Sequence, residues 1–223
     1  MGGRYCRHRS YDQDVPVLRT REILGQCAMV ETQREGRAHT DLPIQRLMAI
    51  HGMIDLETLS TRPNAVILSL GAIKFDPYTQ AEPYDPLYFK VDVDTQTAMG
   101  RHVMQDTLDW WATQPEHIQE EALGEDDRMD LDYTVKAINK WAVGVEVFWC
   151  QGPLFDYAIL QNLYAQLNRP CPWQYWAIRD SRTLFSLYKE TDVIKLDAHN
   201  ALADCDYQAK KVQRYYKQLG LKP

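Results

Sequence analysis

Apolar and polar residues begin to follow a regular pattern only near Met48, and from there the pattern first predicts strands. Residues 52–58 and 65–75 (AVILSLGAIKF) are rich in apolar and β-branched side chains, and residues 87–93 (LYFKVDV) form a third such run. Runs of this kind, separated by turn residues such as those at 76–78 (DPY), predict β-strands. Because the connections are short, we expect these three strands to form an antiparallel meander.

The pattern then alternates between helical and strand-like spacing. Boundary residues predict a helix that Asp106 caps and that ends before Pro115, and apolar spacing predicts a second helix over residues 131–143. Further helices are predicted over residues 155–167, 182–188 and 200–219, the first bounded by 168–170 (NRP) and the last closed by Gly220. Short apolar runs at residues 145–150 and 175–178 predict two more strands. Three antiparallel strands followed by alternating helices and strands predict an α/β protein, in which helices flank one mixed sheet.

Residues 1–47 differ in kind from the domain predicted over residues 48–223. They contain eight arginines and no lysine, and their net charge is +2, whereas the remainder carries −8. Their apolar residues follow neither the two-residue period of a strand nor the 3.6-residue period of a helix, so we expect a poorly ordered extension. Two alternatives stay open: a start codon placed too early, since Met48 directly precedes the first strand, and an arginine-rich arm that binds phosphates.

Charge and cysteine content exclude several classes of protein. The formal net charge of −6 argues against a broad basic face for nucleic acid. Five cysteines without paired spacing argue against a disulfide framework or a zinc ribbon, and favour reduced thiols. No apolar run reaches the roughly 18–20 residues of a membrane span. The first residues lack the apolar core of a signal peptide, so we expect an intracellular, cytoplasmic protein that contacts no membrane.

The first candidate for chemistry is the pair Asp55 and Glu57 on the first predicted strand. Side chains two residues apart on a strand point to the same face. Two acids on one face of a buried strand repel each other and lose hydration, so they require a neutralising partner. Hard divalent cations with oxygen ligands meet that requirement. A solvated strand edge is the simpler alternative for the pair alone.

Two later positions extend the acidic set. Asp156 follows a predicted strand and the break at Gly152-Pro153, and it opens a helix. His199 and Asp204 are five residues apart, so on one continuous helix they would diverge by about 140°. We therefore expect His199 on the loop that enters the last helix and Asp204 on its first or second turn. Taken singly, Asp156 is compatible with a helix-dipole acid and His199 with a capping residue.

The order of these groups resembles the DEDDh subgroup of 3′→5′ exonucleases. The stretches at 110–111 (WW), 155–156 (FD) and 175–183 (YWAIRDSRT) are similar to phage exonuclease A and its mycobacterial exoribonuclease relatives. The resemblance implies a ribonuclease-H-like fold over residues 52–219. It also implies hydrolysis of phosphodiester bonds from the 3′ end of single-stranded DNA or RNA, with release of 5′-mononucleotides. A catalytically silent nucleic-acid-binding module and a purely structural domain are the alternatives.

The same resemblance implies a two-metal site. Four carboxylates are its expected ligands, with the first as the bridge: Asp55, Glu57, Asp156 and Asp204. Oxygen ligands favour two Mg²⁺ or Mn²⁺ ions over zinc, and His199 is the expected general base.

Lower-ranked candidates surround this set. Leu56 and Thr58 flank the acids and are expected to contact the terminal nucleotide, although core packing is an equal alternative for Leu56. Arg182 is a candidate phosphate contact; pairing with Asp180 or full exposure is its alternative. Trp110 and Trp111 are candidates for stacking on a base, and at least one of them should face the core.

Overall fold

A computed structural model describes residues 50–187, 193 and 199–223, and the structural statements below concern these residues. The predicted extension at 1–47 lies outside them, as does the end of the predicted helix at 182–188. Within the described residues, no helix is both long enough and apolar enough to cross a membrane.

A mixed sheet of six strands lies at the centre of the described residues. Its strands are β1 (His51–Thr58), β2 (Ile67–Phe75), β3 (Tyr84–Val91), β4 (Arg128–Met129), β5 (Val147–Cys150) and β6 (Ile178–Asp180). They lie in the order β4-β3-β2-β1-β5-β6. The meander of β1, β2 and β3 is antiparallel, as the sequence predicts, whereas β5 pairs in parallel with β1 and β6 with β5. Strand β4 pairs in parallel with the end of β3.

Seven helices flank this sheet in the described part of the chain. They are α1 (Val93–Ala98), α2 (Gln105–Ala112), α3 (Glu116–Leu123), α4 (Leu131–Trp141), α5 (Asp156–Gln166), α6 (Ser181–Phe185) and α7 (Ala201–Gln218). Both faces of β1 are covered: Ile54 belongs to the core that α4 and α5 complete, whereas Met53 packs against α7 through Cys205. Burial on both faces explains why the neighbouring strand β2 is almost continuously apolar.

Helix α7 approaches the sheet most closely at Gly71 of β2. A Cβ atom on Gly71 would lie 2.2 Å from the carbonyl carbon of Ala201, the first residue of α7. The Cys205 thiol donates a hydrogen bond to the Gly71 carbonyl oxygen at 3.2 Å. The helix begins at this contact because the Asn200 side chain accepts hydrogen bonds from the backbone N–H groups of the first turn. The start of α7 is therefore fixed on β2.

Several predicted elements are wrong or incomplete. The predicted strand at 175–178 is a 3₁₀ turn at Tyr175–Ala177, and β6 begins only at Ile178, where pairing with β5 becomes possible. The predicted cap Asp106 lies inside the first turn of α2, and Met104 occupies the cap position without a side-chain hydrogen bond. Asp106 still suits that turn because an acid there interacts favourably with the helix dipole.

Three short elements were not predicted. Helices α1 and α3 and strand β4 have six, eight and two residues respectively, too few for a clear apolar period. Asp92 caps α1 and thereby ends β3 earlier than the apolar run suggests. Pro115, predicted to end a helix, stands at the cap position of the next one, where its missing N–H leaves no hydrogen bond unmade. Among the described cysteines, Cys150 and Cys205 are free and buried, as expected of reduced thiols.

The substitution Gly71→Ala should destabilise the fold strongly. The added Cβ overlaps backbone atoms of α7, which cannot move aside without shifting the whole helix, so we expect a loss of about 3 kcal/mol or more in the free energy of unfolding. Urea titration followed by circular dichroism measures this loss. Gly100→Ala is the control: a Cβ there meets no atom within 4 Å, and its left-handed backbone alone should cost about 1–2 kcal/mol. Equal losses for the two variants would contradict the close-packing argument.

Candidate active site

One cavity of about 210 Å³ opens beside the C-terminal half of β1, next to the first residues of α5, α6 and α7. Seven of the eight residues predicted for the site line it: Asp55, Leu56, Glu57, Asp156, Arg182, His199 and Asp204. Thr58 lines a neighbouring cavity instead. The fold thus brings residues that are more than 140 positions apart in sequence into one cavity. Their roles as catalytic residues and metal ligands stay predictions.

The acids of β1 share one face, the face covered by α7. Asp55 lies opposite Gly71 of β2 and Glu57 opposite Ser69. Gln208 of α7 donates a hydrogen bond from its side-chain amide to Oδ1 of Asp55 at 2.9 Å. Only one oxygen of the Asp55 carboxylate takes part in that bond, so the other remains available to the cavity.

Asp156 links α5 to the central strand. It is the first residue of α5 and only 3% exposed, and its Oδ1 accepts a hydrogen bond from the Leu56 backbone N–H at 3.1 Å. The pairing of β1 with β5 extends only from His51 to Met53. The Leu56 N–H therefore lies beyond the parallel ladder, and the Asp156 carboxylate takes the place of a strand partner.

His199 and Asp204 occupy the positions expected from their spacing. His199 precedes the cap residue Asn200, and Asp204 lies in the first turn of α7. His199 has a left-handed backbone, with φ of +69°, and its N–H donates to Oδ2 of Asp204 at 3.3 Å. Its imidazole stands perpendicular to the ring of Trp110, with the centroids 4.9 Å apart. The left-handed turn thus directs the ring across the cavity toward α2.

The neighbouring cavity is a mainly apolar slot of about 380 Å³. It shares Leu56, Glu57 and Phe155 with the acidic cavity and extends to Thr58 and Trp110. The two tryptophans divide their roles as expected: Trp111 is 1% exposed and donates to the Thr58 carbonyl oxygen, whereas Trp110 is 41% exposed. Leu56 is buried in the core, as one of its two alternatives predicts, and it also lines the slot, so its contact with a nucleotide stays a prediction.

Comparison with known proteins assigns the domain to a family. A family model described as the 3′-5′ exoribonuclease Rv2179c-like domain matches residues 50–216, most of the chain. The chain belongs to this family. It is therefore a nuclease of an exonuclease family, and the resemblance inferred from its motifs is confirmed.

Individual relatives agree with this assignment. An exodeoxyribonuclease of Enterobacteria phage T4 is 28% identical over 160 residues, which cover 59% of this chain and 68% of the phage protein. The nuclease domain of 3′hExo, a DEDDh family member solved with bound rAMP, superposes with a TM-score of 0.52 at 15% identity, over 78% of this chain and 94% of that one. E. coli exonuclease I, solved with a 5cy-dT13 oligonucleotide, gives 0.53 at 15% identity, over 77% of this chain and 41% of its own length. The predicted ribonuclease-H-like fold is confirmed.

Burial strongly shifts the pKa values of two of the site acids, Asp55 and Asp156. Loss of hydration raises the pKa of Asp55 well above its usual value, and the nearby charges of Asp156, Glu57 and Asp204 raise it further. Burial also raises the pKa of Asp156 to about 7, against the opposing effect of the Leu56 N–H bond. Without a cation, therefore, the cluster holds protons that isolated carboxylates would release.

The donor set fits divalent cations. Ligand atoms of Glu57, His199 and Asp204 lie within 4.8 Å of one another, so a small ion can reach all three. Carboxylate oxygens are the ligands that Mg²⁺ and Mn²⁺ prefer, and Asp55 and Asp156 add two more to the cavity. Gln208 also lines it, and its buried Oε1 has no hydrogen-bond partner among the described residues, so it can accept one from water on an ion.

Four cavity residues were missed at the level of sequence: Gln151, Phe155, Tyr207 and Gln208. Gln208 follows Asp204 by one helical turn, so helical spacing from a known site acid could have found it. No comparable signal marks Gln151, which lies in the loop after β5. Arg182 is exposed, and its guanidinium donates to the Gln151 carbonyl oxygen at 3.0 Å.

The stability of the metal-free protein should reveal the protonated cluster. Between about pH 4 and 7 the folded state retains a proton on Asp156 that the unfolded state releases, so this group lowers the free energy of unfolding as pH rises. In chelator, wild-type thermal midpoints should therefore fall relative to those of Asp156→Asn across this window, because the amide oxygen still accepts from Leu56 but cannot titrate.

The quantity to measure is the difference in thermal midpoint between wild type and Asp156→Asn at each pH, because other groups also titrate in this pH range. Burial lowers the pKa of His51 to about 4, which makes its contribution rise with pH. That contribution is common to both proteins and cancels. Parallel midpoint curves for wild type and Asp156→Asn would contradict the raised pKa of Asp156.

Proposed function

We propose that the domain is a 3′→5′ exonuclease that uses two divalent cations, Mg²⁺ or Mn²⁺, to hydrolyse the terminal phosphodiester bond of single-stranded DNA or RNA and release 5′-mononucleotides. One observation carries the proposal: four carboxylates and a histidine from separate parts of the chain converge beside an apolar slot. Such convergence has a cost in electrostatic repulsion, which a structural role does not require.

The four carboxylates would hold the ions, with Asp55 as the shared ligand and Glu57, Asp156 and Asp204 completing the two sets. When bound, the cations would supply positive charge beside the scissile phosphate and lower the pKa of the attacking water. The protein itself provides rigid placement. Asp156 is held by the Leu56 N–H and Asp55 by Gln208, so two of the four carboxylates are oriented before any ligand arrives.

His199 is the proposed general base. Imidazole changes charge between about pH 5 and 8, so it can take a proton from water near neutral pH. Its ring lies between the Trp110 ring and the acids, with Asp204 bonded to its backbone N–H. The tryptophan restricts the ring on one side, which keeps a ring nitrogen directed into the cavity. A ligand role for His199 is the alternative, since its nitrogen lies within reach of Glu57 and Asp204.

The slot suits the terminal nucleoside. Its exposed Trp110 offers a ring on which a base can stack, worth roughly 1–3 kcal/mol. Thr58 supplies a hydroxyl and Leu56 an apolar surface at the junction of the two cavities. Arg182 stands at the other side of the acids, where its guanidinium can contact a phosphate. Relatives described as exoribonuclease, exodeoxyribonuclease and rAMP-bound nuclease leave RNA and DNA as equal candidates.

End-labelled oligonucleotides test the activity directly. We expect stepwise shortening of single-stranded DNA, RNA or both from the 3′ end, with 5′-mononucleotides as product, only when Mg²⁺ or Mn²⁺ is present. Asp55→Asn should lose nearly all activity, because the amide cannot neutralise two ions. Asp94→Asn, an exposed acid on α1, is the matched control and should retain wild-type rates.

Three results would refute this function. They are hydrolysis that persists in excess chelator, cleavage that begins at internal linkages, and shortening that ignores a blocked 3′ terminus. Binding of oligonucleotides without turnover under all metal conditions would instead favour a silent binding module.

Two variants, His199→Asn and Asp204→Asn, test whether His199 acts as the general base or as a metal ligand. Asparagine tolerates the left-handed backbone of residue 199, so His199→Asn should fold normally and lose roughly 10²–10⁴-fold in rate. Its thermal midpoint should still rise on addition of Mn²⁺, whereas the response of Asp204→Asn should be weakened. The wild-type rate should increase with pH and then level off, and this limb should vanish in His199→Asn. Loss of the Mn²⁺ response in His199→Asn would make His199 a ligand.

A further inference from the structure

A second row of polar side chains leads out of the acidic cavity along α7. Asp204, Tyr207, Gln208 and Lys211 are spaced by three or four residues and so lie on one side of the helix. The first three line the cavity, and Lys211 follows immediately outside it. The face thus changes from acidic to cationic within about two helical turns.

Lys211 has an unusual environment for a lysine of this acidic protein. Its ammonium lies 4.4 Å from the centroid of the Phe185 ring, 5.5 Å from that of Tyr207 and 3.5 Å from the Tyr207 hydroxyl. Among the described residues it forms no ion pair with a carboxylate, whereas the adjacent Lys210 pairs with both Glu82 and Asp206. Two aromatic faces therefore hold the Lys211 ammonium in place without neutralising it.

Arg182 brings a second cation to the same end of the cavity. It belongs to α6, one turn before Phe185, and it lines the cavity together with Tyr207. The apolar slot, in contrast, adjoins the cavity through Leu56, Glu57 and Phe155, and contains neither Arg182 nor Tyr207. Slot, acids and the two cations consequently follow one another in this order.

We propose that Tyr207 and Lys211, with Arg182, form a subsite for the backbone phosphate that lies one linkage 5′ of the scissile phosphate. The inference rests on the proposed function, which places the terminal nucleoside in the slot and the scissile phosphate at the acids. The next phosphate then meets the cationic end. Lys211 has three N–H donors, of which the Tyr207 hydroxyl occupies at most one.

The subsite would offset electrostatic repulsion between the acidic protein and its substrate. The four site acids and a net charge of −6 repel a polyanionic strand beyond the reach of bound cations. A positioned ammonium that has no ion pair with a described carboxylate offsets this repulsion for one phosphate. Because the contact is to phosphate, it carries no preference for a base.

A charge-matched pair of substrates and a charge-matched pair of variants test the subsite. One single-stranded oligonucleotide is made twice, with a phosphate or a neutral methylphosphonate at the linkage next to the 3′-terminal one. Release of the first nucleotide by wild type should have about tenfold lower kcat/KM with the neutral linkage, as expected for one charge-assisted hydrogen bond. Lys211→Met, which keeps the apolar stem, should show most of this loss on the normal substrate, and the neutral linkage should affect it much less than it affects wild type, because only Tyr207 and Arg182 remain to contact the phosphate.

The controls separate this contact from a structural role. Lys211→Arg should retain most of the activity and Tyr207→Phe should lose part of it, while Lys217→Met, an exposed lysine on the last turn of α7, should behave as wild type. For Lys211→Met the slope of log(kcat/KM) against log salt should fall in magnitude by about 0.7, with an unchanged thermal midpoint.

Equal effects of the neutral linkage on wild type and Lys211→Met, or no effect of Lys211→Met, would overturn the subsite alone. Absence of cleavage by wild type would overturn the proposed function instead.

Discussion

Repulsion among carboxylates held inside the fold is the constraint on which the rest of this structure depends. Asp55, Glu57, Asp156 and Asp204 line one small cavity, and burial together with mutual repulsion raises the pKa of Asp55 well above its usual value. Isolated side chains would move apart or take up protons. The fold prevents the first response because each acid is attached to an element that cannot retreat: β1 is covered on both faces, α5 is tied to β1, and α7 is packed on β2.

These attachments are short-range and specific. Asp156 completes the hydrogen bonding of the Leu56 N–H, so its removal from the cavity would leave a buried donor unmatched. Asp204 stays in place because α7 starts where Gly71 lets it touch the sheet. Stability gained in the cores on either side of the sheet thus offsets the electrostatic cost of the site. The cluster is accordingly a feature that packing imposes, and a divalent cation would relieve it.

Sequence reasoning anticipated the long elements and the identities of the acids for a physical reason. Strand β2 is an apolar run bounded by turn residues, Gly220 closes helix α7, and the spacing of His199 and Asp204 indicates a loop followed by a first helical turn. It failed where local signals compete. Asp106 looks like a cap, yet Met104 begins α2; residues 175–178 look like a strand, yet pairing with β5 starts only at Ile178. Gln208 and Lys211 were missed because a glutamine or lysine on a helix acquires meaning only from what faces it.

The arrangement of charge around the cavity also bears on how a strand would lie in it. The apolar slot is on the β1 and α2 side. The exposed Trp110 makes it suitable for a base, whereas its charged lining residues, Glu57 and Asp106, would repel a second phosphate. Arg182 on α6 and Lys211 on α7 stand at the opposite end, and neither forms an ion pair with a carboxylate in the described part of the chain. A nucleic acid strand has an apolar unit only at each base and a charge at each linkage. When the terminal base fills the slot and the scissile linkage stands at the acids, the next linkage therefore lies toward Lys211. The two side-chain types on either side of the acids would thereby determine which linkage of the strand stands at the acids.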